Sequence, residues 1–176
     1  INSNFDDAYN NLGLALEDLG RNDDAVLNFK MAIKVNPEFY EAHNNFGNIL
    51  ATCFKRYEEA LICLKNAIKI NENYATAYIN LGNVYAALDK LDDSLNCYEK
   101  AMLINSDLDG LLGRVLSTKI NLCSWDAIDS LLIDAKEKII MNDNVIDPWG
   151  LMGLFDNLFL QKQVTELYMN NEYPIS

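Results

Sequence analysis

The chain has 176 residues, about one domain's length, and half of them are apolar, 10% aromatic and 23% charged, a composition that excludes wholesale disorder and collagen-like or low-complexity architectures. Asp and Glu number 26 against 14 Lys and Arg, a formal charge of −12. A surface that acidic repels phosphate backbones and anionic lipid, so neither nucleic acid nor a membrane is an expected partner. No apolar run reaches the roughly 18 residues of a membrane span, and the N-terminus lacks the basic-then-apolar pattern of a signal peptide. Cys53, Cys63, Cys97 and Cys123 are widely spaced with no C-x-x-C pair. They read as free thiols on helical apolar faces in a reducing, cytoplasmic compartment.

In chain order, residues 1–5 (Ile-Asn-Ser-Asn-Phe) parallel residues 35–39, 70–74 and 104–108 and read as the tail of a preceding repeat. The chain starts at Ile1 without a methionine, and a solenoid end without a polar cap leaves a helix face uncovered. The array is therefore expected to continue upstream, and cut ends of this kind can self-associate. Three units follow, over residues 6–39, 40–74 and 75–108. Each opens with a helix carrying Asn10-Asn11-Leu12-Gly13, Asn44-Asn45-Phe46-Gly47 or Ile79-Asn80-Leu81-Gly82. Tyr9, Leu12, Leu16 and Leu19 lie at i, i+3, i+7 and i+10, an apolar stripe predicted to face the core, and Leu81 is expected to be buried with them.

The second helix of each unit starts with an acidic pair, Asp23-Asp24, Glu58-Glu59 or Asp92-Asp93, and ends near Lys34, Lys69 or Lys100, matching the helix dipole. Small residues Ala25, Ala60 and Ser94 are expected to face Gly13, Gly47 and Gly82. A glycine inside a helix costs roughly 1 kcal/mol against Ala, so its recurrence implies a close crossing. The second unit holds one extra residue near Thr52 to Arg56, where Phe54 stands in place of Gly20 or Asp89 and an altered turn is predicted. Beyond Ser106 the pattern decays. A degenerate unit is expected over residues 109–141, with Lys119 where its predecessors carry Leu16, Leu50 and Tyr85 and with the Leu-Gly signature missing. Asn142 to Asn144 read as a turn, Asp147-Pro148 as a helix start, and residues 142–176 as a helical cap or linker.

The 34-residue period, the Leu-Gly element, the small residues at the crossing and Pro37 at the end of the first unit resemble the tetratricopeptide repeat. That resemblance implies an all-α solenoid of helical hairpins, wound as a right-handed superhelix. Its inner groove is lined by the first helix of each unit.

The inventory for chemistry is thin. His43, the lone histidine, occupies the place of Tyr9 and Tyr78 and reads as a packed, hydrogen-bonded ring. The acidic pairs are spaced for helix starts, and no phosphate loop or Ser/His/Asp set appears, so no catalytic residue, metal or cofactor is expected. What remains is an asparagine ladder. Asn11, Asn45 and Asn80 recur just before Leu-Gly (Phe-Gly in the second unit), and Asn48 and Asn83 follow one turn later. A primary amide offers two donors and an acceptor, so stacked asparagines suit the backbone of an extended peptide whatever its side chains. The first helices carry no Lys or Arg, unlike the carboxylate-clamping tetratricopeptide co-chaperones.

This ladder resembles that of the O-linked N-acetylglucosamine transferases. Leu122-Cys123-Ser124-Trp125-Asp126 and Asp147-Pro148-Trp149-Gly150-Leu151, with Gln161 and Gln163, are similar to the linker preceding that family's catalytic half. The resemblance implies a substrate-recognition arm for extended protein substrates, any catalysis lying beyond Ser176. The competing expectation is a free-standing adaptor that scaffolds a protein complex.

Overall fold

A computed structural model describes residues 4–140 except Asp109, Trp125 and Ala127, and the readings made for residues 142–176 lie outside the described residues. Among the described residues all eight elements are α-helices: α1 (Asn4–Asp18), α2 (Asn22–Val35), α3 (Tyr40–Thr52), α4 (Tyr57–Ile70), α5 (Ala75–Ala87), α6 (Leu91–Ile104), α7 (Leu111–Asn121) and α8 (Ile128–Ile140). The chain divides into two compact units between Lys90 and Leu91.

In the first unit α1 pairs with α2 and α3 with α4, while α2–α3 and α4–α5 contacts stack the hairpins. The apolar spacing that makes the helices also makes the core. Ala25, Phe29, Ala32, Ile49, Leu50, Ala60, Leu64 and Ala67 are fully buried. Each buried large side chain contributes roughly 1.5–3 kcal/mol relative to exposure. The two glycine seams differ in partner from the sequence expectation. A Cβ on Gly13 would sit 2.6 Å from Phe29 Cε1, and one on Gly47 would sit 2.8 Å from Leu64 Cγ, with the Ala60 carbonyl next at 3.3 Å. The glycines admit the large residue one turn beyond Ala25 and Ala60, and Gly47 is also close to the Ala60 backbone, as the sequence predicts. Lys30 and Lys65 lie over the rings of Phe46 and Tyr85 at 5.5 and 5.7 Å, so each second helix covers an aromatic of the next first helix.

The apolar stripe on α1 is only partly buried. Leu16 is 8% exposed, but Leu12 is 50% and Leu19 74% exposed, because among the described residues no helix packs on that side of α1. The matching position Leu81 is buried.

Turn chemistry repeats with one variation. Gly20 takes φ 72°, and the Arg21 amide donates to the Leu16 carbonyl at 2.8 Å, closing the first hairpin over five residues. Asp89 (φ 58°) repeats this with Lys90 donating to Tyr85 at 2.9 Å. In the second hairpin the closure spans six residues, Arg56 to Leu50 at 2.9 Å. The left-handed place is taken there by Lys55 (φ 56°) and not by Phe54, which packs against the cluster of Leu16, Phe29 and Ile49. The extra residue is thus spent on core contact. Asn36, Asn71 and Asn105 each accept, through Oδ1, the backbone amide two residues on at 3.0–3.1 Å, an Asx turn after every second helix. Exposed forks Arg21–Asp24 and Arg56–Glu59, both at 2.6 Å, are screened by water and add little to stability.

In the second unit, α6 packs on α7 and α7 on α8. Leu111, Leu112, Val115 and Leu116 of α7 are buried, as are Cys97, Tyr98 and Ala101 of α6 and Ile128 and Ala135 of α8. The turn after α7 is the one found after α1: Cys123 takes φ 53°, and Ser124 donates to the Lys119 carbonyl at 2.9 Å. Lys119 therefore occupies the place of Leu16 and Tyr85. It is only 8% exposed, with its ammonium 2.8 Å from Glu99 on α6. A Leu-Gly pair does survive at Leu112-Gly113, both buried, but three residues early, so Leu116 stands where the other units have glycine. The cysteines also divide otherwise than expected. Cys97 is buried and Cys63 half-buried, but Cys53 and Cys123 are exposed at turns.

Candidate functional site

The first helices α1, α3 and α5 come together, α1 with α3 and α3 with α5, on one side of the first unit. Where they meet, asparagine amides connect them. Asn80 Nδ2 donates to Asn44 Oδ1 at 2.9 Å, Asn44 Nδ2 to Asn45 Oδ1 at 3.1 Å, and Asn45 Nδ2 to Asn10 Oδ1 at 3.0 Å. The run spans three helices and uses residues the sequence did not single out. Asn10 and Asn44 are 6% and 3% exposed, and they supply the linking amides, whereas Asn11 is exposed and stands outside the run. The doublets Asn10-Asn11 and Asn44-Asn45 were the available signal. Neighbours on a helix point about 100° apart, and burial decides which one faces inward. Asn45, Asn48, Asn80 and Asn83 are half-buried. Asn45 and Asn80 each retain a second amide hydrogen.

Asn48, Asn80 and Asn83 border one cleft of about 150 Å³ between α3 and α5, with Lys55 and Tyr57 also in its lining. Thr52 donates to the Asn48 carbonyl at 2.9 Å, an ordinary helical back-bond that leaves the Asn48 amide to the cleft. A larger, open depression of about 470 Å³ lies between Pro37, Glu38, His43 and Lys69. His43 is 9% exposed, and its Nε2 lies 2.9 Å from the Pro37 carbonyl, the packed ring read from the sequence.

Helices α1, α3 and α5 contain no Lys or Arg, while Asp6, Asp7, Glu17, Asp18 and Glu41 lie on α1 and α3. The Asn36 amide donates to Asp6 at 2.8 Å and holds that carboxyl below its ordinary range, whereas burial, helped by Asp18, raises that of Glu17. Burial also pushes the Cys63 thiol up to about 11, which keeps it protonated and unreactive near neutral pH. Among the described residues no cluster of His, Cys, Asp or Glu could hold a metal ion, and no helix is long and apolar enough to cross a membrane.

Comparison with known proteins rests on repeats and fold. No curated protein matches the chain. The structure is similar to the first TPR of Spaghetti (RPAP3) bound to HSP90 peptide SRMEEVD, at 18% identity and a TM-score of 0.66 over 70% of this chain and 98% of that one. It is similar also to MamA (19%, 0.64, 97% of this chain and 82% of that one) and to the Sgt2 TPR domain from Aspergillus fumigatus (17%, 0.63, 66% and 78%). The tetratricopeptide repeat description matches residues 6–39 and 75–108, and a further TPR repeat description matches 55–89. Together they cover half of the residues, and the chain belongs to the tetratricopeptide repeat family.

Proposed function

We propose that the face made by α1, α3 and α5 binds an extended polypeptide through Asn11, Asn45, Asn48, Asn80 and Asn83. The observation that carries this reading is the run of amides from Asn80 to Asn10. It holds three first helices in one register and leaves a second amide hydrogen on each of Asn45 and Asn80. The Spaghetti domain, similar in fold, is bound to an HSP90 peptide, which supports a peptide-binding reading. With no Lys or Arg on these helices, affinity comes from backbone hydrogen bonds and not from a clamp on a chain terminus. The module is a binding element in a reducing, cytoplasmic setting, in keeping with its free thiols, and it carries out no reaction itself.

Asn45 and Asn80 hold helices together, so their loss mixes stability with affinity, whereas Asn11→Ala and Asn48→Ala test the face cleanly. Each is expected to weaken an extended peptide's binding by about 2–10-fold, one hydrogen bond's worth, at unchanged melting temperature, as read by fluorescence anisotropy. Unaltered affinity in both variants overturns the reading.

Within this reading, the finer assignment is the substrate arm of an O-linked glycosyltransferase. It rests on the ladder and linker resemblance, and an assay for sugar transfer by the native protein would decide it. The adaptor reading has an observation of its own. Leu27 and Ile62 occupy the same place on α2 and α4 and are 60% and 62% exposed, a repeated apolar feature on the second helices.

A further inference from the structure

Acidic residues of the inner helices fall into the register of the asparagines. Asp7 lies four residues before Asn11 and Glu41 four before Asn45, while Asp18 lies seven after Asn11, so each stands within about 40° of its asparagine around the helix. Asp7 and Asp18 are exposed and Glu41 is half-buried, and none of the three joins an ion pair among the described residues. With no Lys or Arg on α1, α3 or α5, nothing on these helices offsets that charge. The place of Asp7 and Glu41 is taken on α5 by Thr76, and α5 carries no charged residue at all. Lys55, in the lining of the α3–α5 cleft, follows the end of α3 opposite to Glu41. The face is therefore anionic on its α1 side and grades away from that sign toward α5. Leu14, 39% exposed, stands between Asn11 and Asp18 on the same stripe, where the other two units carry Asn48 and Asn83. Apolar surface between carboxylates suits the aliphatic stem and charged head of Lys or Arg.

Carboxylates in line beside amides, on helices with no cation of their own, describe a receptor for a positively charged strand. We infer that the polypeptide bound on this face is basic, with Lys or Arg side chains laid over the α1 side against Asp7, Asp18 and Glu41 and an uncharged stretch over α5. The inference rests on the peptide-binding reading above and deepens it: the asparagines hold a backbone of any sequence, and the carboxylates select among strands and set which end lies over α1. The same charges disfavour an acidic strand.

The test uses the whole chain and extended dodecapeptides, acetylated and amidated, that carry Lys, Gln or Glu at the same alternate positions of one Ser/Thr/Ala background, with affinity read by isothermal titration calorimetry. The Lys peptide is expected to bind about 3–10-fold tighter than the Gln peptide, and the Glu peptide more weakly than either, with the gap shrinking at high salt. Asp7→Asn, Asp18→Asn and Glu41→Gln should each narrow the Lys-to-Gln gap, and the three together should close it. A control protein with Asp23→Asn, Glu58→Gln and Asp92→Asn loses the same charge from the second helices and should keep the gap. Melting temperatures check that both triple variants fold. Equal affinity for the Lys and Gln peptides, a gap that survives the inner-helix triple variant, or one that closes as far in the control, overturns the basic-strand inference and leaves the asparagine line standing. Absence of binding by every peptide overturns both.

Discussion

The hairpins of the first unit and the α7–α8 pair of the second close their helices with the same backbone device and fill the glycine place beneath it differently. In the α1 and α3 hairpins the residue whose carbonyl closes the turn is Leu16 or Leu50, and glycine three residues earlier admits Phe29 or Leu64 of the facing helix. On α7 the closing residue is Lys119, and fully buried Leu116 stands in the glycine place. The glycine place is there filled by a large buried side chain. The closing position can then hold a long stem whose charge reaches the edge, as Lys119 does toward half-exposed Glu99. Turn geometry and seam packing are therefore separable.

Exchanging the two seams should break that comparison most visibly. Gly47→Leu, which installs the α7 choice in α3, drives its side chain into Leu64 and should cost about 3 kcal/mol, read as a fall of at least about 10 °C in the first unit's melting. A clean fold at unchanged melting temperature would show that the α3–α4 seam tolerates a leucine in the glycine place as the α7–α8 hairpin does.

The second unit gives a smaller effect. Lys119→Met keeps the stem and should change stability by less than about 1 kcal/mol, whereas Glu99→Gln leaves the ammonium without its charge partner and should cost more, about 1–2 kcal/mol by urea denaturation. Equal effects would mean that Lys119 serves only as packing.

Smallest is the electrostatic difference at the α1 end of the first seam. Burial raises the Glu17 carboxyl above its ordinary 4.5, so the folded state favours the protonated form. The penalty is present at neutral pH and is relieved as pH falls through the raised value. Asp6, held below its ordinary 3.8 by Asn36, acts with the opposite sign: its stabilisation is complete above 3.8 and disappears as pH falls through the depressed value. Glu17→Gln should therefore raise the melting temperature slightly at pH 7 and not at pH 4. A rise of the same size at both pH values would remove the electrostatic explanation.

The hairpins were legible because Ala25, Phe29 and Ala32, and Ala60, Leu64 and Ala67, carry helical spacing that packing then honours. Coverage was not legible. Leu12 and Leu19 share the period of Leu16, but period marks a face and only a neighbouring element buries it. The altered turn could be located but not phased. Phe54 or Lys55 could take the left-handed position, and the choice fell to the residue whose removal from the core would cost less. The asparagine face was visible as a recurrence at Asn11, Asn45 and Asn80, but the structure routes its hydrogen bonds through Asn10 and Asn44. Their buried surroundings leave amides without water and so oblige them to pair.

That same run of amides has a mechanical side. Hydrogen bonds from Asn80 through Asn44 and Asn45 to Asn10 lie in series across the faces of successive first helices. Spreading those helices lengthens the two links that cross between them, Asn80 to Asn44 and Asn45 to Asn10, while the Asn44–Asn45 link within α3 couples the two. The face therefore behaves as a one-sided spring, stiff against opening, and a polypeptide lying along it meets an edge whose curvature is set before contact.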